Sequence, residues 1–278
     1  MRCSPRVEKR MTMKPLWQPS QERIEAEPIT AFARYCSEHF DLPANADYPT
    51  LHRWSVEEME TFWRALWDFA DVRGSRGGER VLLDGERFPG ARWFPDARLN
   101  YAENLLRRRD DGCALIALLE DGRTRRISHA QLHDEVARVA AALRAAGVVA
   151  GDRIAGFMPN IPETLIAMLA ASSIGALWSS CSPDFGFNGV LDRFGQIAPK
   201  VLFSADGYLY NGKRCDSLER LAQIADAIDS VEKVVVVPVL EESPDIGAVR
   251  DAVCYREFLP AEVPPLEFAQ LPFDHPLF

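Results

Sequence analysis

The six cysteines of this chain form no C-x-x-C pair and have no histidine at ligand spacing, which argues against a zinc site and against a disulfide scaffold. No run of five like charges occurs, and the three arginines at 107–109 are followed at once by Asp110 and Asp111. With a formal charge of -9, that pattern disfavours a nucleic-acid partner. No apolar stretch reaches the roughly 18 residues of a membrane span. The closest, residues 165–178, is interrupted by Ser172, Ser173 and Gly175 and reads as a buried helix. The N-terminal segment is charged and lacks the roughly 7 to 15 apolar residues of a secretory leader. No membrane partner and a cytoplasmic location are therefore expected, with residues 1–12 as a disordered or spurious extension and Met11 or Met13 as plausible true starts.

What is present is enough for a globular core: 278 residues, 47% of them apolar, allow one large domain or two modest ones. Residues 29–40 and 56–73 read as amphipathic helices, the second opened by Ser55 with Glu58 three residues on, the spacing of a capping box. Met59, Phe62, Trp63, Leu66, Trp67 and Phe69 recur at helical spacing on it and read as packing rather than as a cofactor site. Asn100 and Glu103 repeat the cap spacing ahead of a helix to about Leu106. Residues 13–110 are thus expected as a helical N-terminal region.

From Cys113 the pattern changes to α/β. CALIALLE and TRRIS read as strands about a DGR turn, and Ser128 with Gln131 opens an alanine-rich helix that ends at Gly147. Residues 153–158 read as a strand, Asn160 as a cap, Pro162 as a first-turn residue, and Gly175 as the end of an apolar helix before a second strand from Ala176. A helix near 190–197, a strand at 201–204, a helix near 218–228 and a strand at 233–237 follow. Such alternation predicts a parallel sheet built from βαβ units over residues 111–278. In open α/β sheets ligands bind at strand ends. The segment SSCSPDFG lies at such an end, with hydroxyls, a carboxylate and glycine-permitted backbone.

Other candidates are weaker. GYLYNGKR, residues 207–214, has the glycine, four residues, glycine, lysine spacing of a P-loop, but Arg214 stands where a Ser or Thr should follow Lys213, and two tyrosines and a leucine crowd the loop, so a plain turn is the better reading. Lys213 and Arg214 retain the charge to hold a phosphate at a sheet edge. Cys181 has no motif pairing it with a base and reads as a small buried thiol. His129 and His133 have metal spacing without a third ligand and read as surface histidines. Asp184 and Asp192 have the charge to bind a cation, though Asp192 beside Arg193 more simply decorates a solvated helix face.

Three segments, LHRWSVEEMETFWRALWDFADV, WFPDARLNYAENLL and DRIAGFMPNIPETLIAMLAASSIGALWSSCSPDFG, together resemble the acyl-CoA synthetases of the adenylate-forming superfamily. The first two resemble the N-terminal region of the acetyl-CoA and acetoacetyl-CoA synthetase group. The third resembles the stretch before its CoA-binding loop, and SSCSPDFG is similar to the acetoacetyl branch where acetyl-CoA synthetases have Phe-Gly-Gly-Phe. The resemblance covers about residues 13–278, under half of a complete enzyme. It implies an AMP-binding α/β domain from residue 111, incomplete at its C-terminus, and a ligase that converts acetoacetate, ATP and CoA to acetoacetyl-CoA, AMP and pyrophosphate with magnesium.

By the same resemblance Ser182, Pro183 and Asp184 match the loop lining the pantetheine path, and Lys213 matches a basic residue near CoA phosphate. Tyr210 stands where the acetyl-CoA enzymes have a second arginine. The family's phosphate loop, hinge and catalytic lysine have no counterpart before Phe278, so the chain is expected to be a truncation that cannot adenylate without the missing C-terminal part. An incomplete sheet is expected to leave an unpaired strand edge. A ligase for acetate, propionate or another short acid, a non-catalytic CoA-binding or interaction module, and a P-loop nucleotidase are the alternatives.

Overall fold

The computed structural model describes residues 15–278; the expected extension over residues 1–12, with Met11 and Met13, lies outside the described residues. Two compact units divide between Val72 and Arg73, a point within the segment expected as 13–110.

The first unit is helical: α1 (Gln21–Ala26), α2 (Pro28–His39), α3 (Tyr48–Glu57) and α4 (Met59–Phe69). Its core gathers Phe32, Cys36, Leu51, Trp54 and Ala65, with Phe62, Leu66 and Phe69 packed on it; Trp67 is buried as well, so four of the six stripe residues turn away from solvent. Trp63 and Met59 stay 41% exposed. The expected cap at Ser55 is corrected. Asp47 accepts the Thr50 amide at 3.0 Å and Pro49 occupies the first turn, so a helix is already running when the chain reaches Ser55. Ser55 Oγ instead donates to His52 O at 2.7 Å, and the break falls at Glu58, whose φ of -115° and ψ of 51° leave the helical region.

The second unit begins with four two-residue strands, β1 (Gly74–Ser75), β2 (Leu82–Leu83), β3 (Arg92–Trp93) and β4 (Arg98–Leu99), and a short helix α5 (Tyr101–Leu105). The lead-in is therefore not wholly helical. A hairpin of β5 (Cys113–Leu118) and β6 (Thr124–Ser128) leads into α6 (His129–Ala145), opened by the Ser128/Gln131 capping box as expected. Then come β7 (Arg153–Phe157), α7 (Pro162–Ile174), β8 (Leu177–Cys181), α8 (Phe187–Ile197), β9 (Val201–Ala205), β10 (Gly207–Tyr210), β11 (Lys213–Asp216), α9 (Leu218–Ala227), β12 (Lys233–Val237), β13 (Ala252–Cys254), α10 (Tyr255–Phe258) and β14 (Leu271–Pro272).

The central sheet has the order β13-β12-β9-β7-β8, and all its neighbours are parallel. Because side chains alternate across a strand, successive residues feed two cores. Ile154, Phe203 and Val235 face α6 and α7, while Ala155, Phe157, Leu202 and Val234 face α8 and α9. Both faces are thus covered, the usual state of a parallel sheet. Gly156 is required by a close approach: a Cβ there would lie 2.6 Å from the Trp178 ring.

Asn160 does not cap α7. The cap position is Ile161, without a side-chain bond, and Thr164 Oγ1 donates to Pro159 O at 2.8 Å. At its far end Gly175 closes α7 with φ 87°. β8 forms one edge of the central sheet, and the Trp178 amide on it donates to Leu277 O at 2.9 Å.

Candidate functional site

The strands of the central sheet run in one direction, so the loops that follow them share one end. After β8 the chain makes a turn in which the Phe185 amide donates to Ser182 O at 3.2 Å. Within it Ser182 Oγ donates to Asp184 Oδ2 at 3.2 Å. Ser182 and Asp184 are exposed and Pro183 is buried between them, which anchors the turn and leaves its polar groups outward.

After β9 comes a feature that spacing alone misassigned. Residues 207–214 are not a phosphate-wrapping loop but most of the β10–β11 hairpin, with Tyr208 opposite Cys215 and Tyr210 opposite Lys213. Its two turn residues, Asn211 (φ 50°) and Gly212 (φ 73°), lie in the left-handed region, as a tight hairpin turn demands. The plain-turn reading holds, and one amide of the turn is drawn toward the protein: the Asn211 N–H donates to the Glu120 carboxylate.

Residues directly opposite in an antiparallel pair project from the same face. Tyr208, Tyr210, Lys213 and Cys215 therefore share one face of the hairpin. Tyr208 on that face lies beside Asp184; burial first, and then the neighbouring carboxylate, push its phenol up to about 12. The hairpin thus presents the Lys213 face to the turn at 182–184, with Lys213 itself exposed. Arg214, on the other face, is drawn to Leu240 O at 3.1 Å and to the Glu241 carboxylate.

Three side chains that sequence reasoning passed over hold this end together. Arg220 on α9 donates from Nη1 to Pro183 O at 3.1 Å and to Phe185 O at 3.3 Å. Arg193 on α8 lies 4.3 Å above the Phe185 ring centroid and donates to Gly189 O at 2.7 Å. Asp206, 2% exposed, accepts the amides of Val239, Leu240 and Glu241 at 2.7 to 3.1 Å, which fixes the loop after β12.

The remaining candidates fall to structural roles. Cys181 is buried, and burial pushes its thiol up, with Arg193 opposing weakly; a thiol so placed is a poor nucleophile. His133 is not at the surface as expected but 7% exposed. Its pKa is lowered by burial and then by Arg109. Among the described residues no group of three or more His, Cys, Asp or Glu side chains is placed to hold a metal ion. No helix among the described residues is long and apolar enough to cross a membrane.

Comparison with known proteins agrees with the fold. The family model for AMP-binding enzymes matches residues 103–270, and that for the acetyl-coenzyme A synthetase N-terminus matches residues 48–105. The acetoacetyl-coenzyme A synthetase of Rhizobium meliloti is 46% identical over 267 residues, 95% of this chain and 40% of the relative. That of Macaca fascicularis is 42% identical over 241 residues, 84% of this chain and 36% of the relative. The solved structure of acetoacetyl-CoA synthetase from Streptomyces lividans superposes with a TM-score of 0.89 at 43% identity, covering 95% of this chain and 41% of that one. The chain spans about two fifths of the length of the curated relatives it matches and is similar to their N-terminal portion. With the AMP-binding model matching more than half of its residues, the chain belongs to the family of AMP-binding enzymes.

Proposed function

We propose that the protein to which this stretch contributes joins acetoacetate to CoA with cleavage of ATP to AMP and pyrophosphate. A carboxylate is a poor acyl donor until one of its oxygens becomes a good leaving group. Attack of acetoacetate on the α-phosphate of ATP gives acetoacetyl-AMP and releases pyrophosphate; the CoA thiol then attacks the activated carbonyl and expels AMP. The observation that carries the reading is likeness to acetoacetyl-CoA synthetases over nearly the whole chain, the loop SSCSPDFG included.

In this reading the 182–184 turn lines the path of the pantetheine arm. Ser182 and Asp184 offer it polar groups, and buried Pro183 keeps the turn seated. Lys213 holds a CoA phosphate as a mobile point charge; its exposure, and its place on the hairpin face that carries Tyr208, support that role. ATP and magnesium belong to the adenylation step, and no part of that step is assigned to a residue here. The partner is the remainder of the same ligase, which supplies the other side of the site. We place the reaction in the cytoplasm, where the five described cysteines, all free, would remain reduced.

The test uses the full-length protein read through the downstream coding sequence. Acetoacetate-dependent exchange of pyrophosphate into ATP, and acetoacetyl-CoA formation on adding CoA, are expected; their absence overturns the reading. Lys213→Ala is expected to raise the KM for CoA roughly tenfold, the worth of one charge-assisted phosphate contact, and to leave exchange unchanged. The 278-residue chain by itself is expected to form no acyl-AMP, and its formation would refute the division of the site.

A further inference from the structure

We propose that Arg220 is the positioning residue of the turn at 182–186, a role that rests on the function proposed above and names the side chain that keeps its CoA-facing wall in shape. One guanidinium nitrogen, Nη1, donates to two carbonyls, Pro183 O at 3.1 Å and Phe185 O at 3.3 Å. The preceding carbonyl, Ser182 O, is already engaged by the Phe185 amide. The Pro183 and Phe185 oxygens are thereby engaged and do not compete for the amide donors of the pantetheine arm. The clamp comes from α9, more than 30 residues further along the chain, while the Arg193 guanidinium lies over the Phe185 ring from α8 and the Tyr208 phenol lies beside Asp184 from β10.

Of these three contacts only the Arg220 bonds reach the backbone of the turn. Arg193 and Tyr208 meet side chains, so losing either leaves the backbone curl intact. Losing Arg220 frees two carbonyls, one on each side of Asp184, at an exposed strand end, where nothing else in the described residues donates to them. Arg220 itself touches neither Ser182 nor Lys213 through any described bond, so it acts through the turn and not on the ligand.

Arg220→Met and Arg220→Lys in the full-length protein test this. Methionine keeps the aliphatic stem and removes every donor; lysine keeps the charge and reaches one carbonyl. Arg220→Met is expected to raise the KM for CoA about tenfold while acetoacetate-dependent pyrophosphate exchange stays within twofold, and Arg220→Lys to recover most of the loss. Equal losses in both half-reactions, or an unchanged KM for CoA, overturn the proposal. If Arg220→Met does not fold, Arg220→Lys decides: a CoA-specific rise of two- to threefold supports the role, and none overturns it. Wild-type exchange separates the outcomes, since its absence removes the functional reading, whereas its presence with CoA-insensitive variants removes only the role of Arg220.

Discussion

Asn100 is the side chain whose replacement separates two kinds of hydrogen bond most cleanly. It is 1% exposed. Its Oδ1 accepts the amides of Ala102 at 2.9 Å and Glu103 at 3.3 Å, capping α5, and its Nδ2 faces the carbonyls of Ser172 at 3.0 Å, Ser173 at 3.1 Å and Ala269 at 2.9 Å. Removing the cap costs about 1 kcal/mol. Two of the three carbonyls keep another donor, because Ser172 O also receives the Gly175 amide and Ser173 O the Ala269 amide. Only Ala269 O is orphaned, at about 1–3 kcal/mol, so Asn100→Ala is expected to lose about 2–4 kcal/mol in urea unfolding. Asn100→Ser restores an acceptor for the cap and is expected to lose about 1 kcal/mol less. Asn100→Asp keeps the cap fully but turns a buried carboxylate toward three oxygens, and at pH 7 it is expected to be the least stable of the three. Protonation relieves that repulsion. The introduced carboxyl has a folded pKa raised above its unfolded value, so the stability of this variant rises as pH falls through the folded value and is fully recovered below about 3.9. An Asn100→Asp protein as stable as Asn100→Ala at pH 7, or one with no gain on acidification relative to Asn100→Ala, would refute the assignment of the donors.

Gly156→Ala places a methyl 2.6 Å from the Trp178 ring in the middle of the central sheet, and a loss of about 1–3 kcal/mol is expected from overpacking; chemical denaturation reads it, and a neutral result would mean the indole moves aside. Asp206→Ala strips three backbone amides of their buried acceptor and is expected to cost about 3 kcal/mol or more, with faster hydrogen exchange at residues 239–241 as its local signature. The Tyr208 phenol, whose ordinary value is 10.0, is pushed up to about 12. Its contribution is therefore complete below pH 10 and lost as pH rises through about 12. Ultraviolet titration against Tyr208→Phe measures the value, and Asp184→Asn is expected to lower it; an unshifted phenol in the native protein would break the contact between hairpin and turn.

The sheet was legible because its strands are short apolar runs bounded by turn residues, and because the helix between β7 and β8 is marked at both ends, by Pro162 and Gly175. What was lost is what depends on competition or on distance. Ser55 and Glu58 have cap spacing, yet Asp47 with Pro49 starts the helix earlier and overrides them. The glycine spacing of residues 207–214 drew attention to phosphate, while Asn211-Gly212 between two strand-forming stretches carried the hairpin signal. His133 looks paired with His129 by spacing, but Leu132 and Val136 beside it are core residues, and the helix carries it inward. Arg193, Arg220 and Asp206 belong to no motif. Their partners lie outside their own local segments or are ring faces and backbone groups, which no residue pattern announces.

Why the candidate wall forms where it does follows from strand order. In chain order the five strands lie second, first, third, fourth, fifth across the sheet, so the winding reverses between β7 and β9, the place where open α/β sheets part their loops and admit ligands. β7 supplies the floor at this end. Its last residue, Phe157, accepts Ser204 Oγ from β9 at 3.0 Å, and the following Met158 amide donates to Cys181 O of β8 at 3.1 Å. The turn after β8 and the hairpin after β9 then approach each other beyond the end of β7, which is why Tyr208 lies beside Asp184 although 24 positions separate them. Ser182, Asp184 and Lys213 remain exposed on the outside of that bridge. A thioester-forming site must exclude water from its activated acid, and an exposed wall cannot do so unaided. In the function proposed above, this wall serves the approach of CoA, and the enclosure of the acyl-adenylate falls to the remainder of the protein.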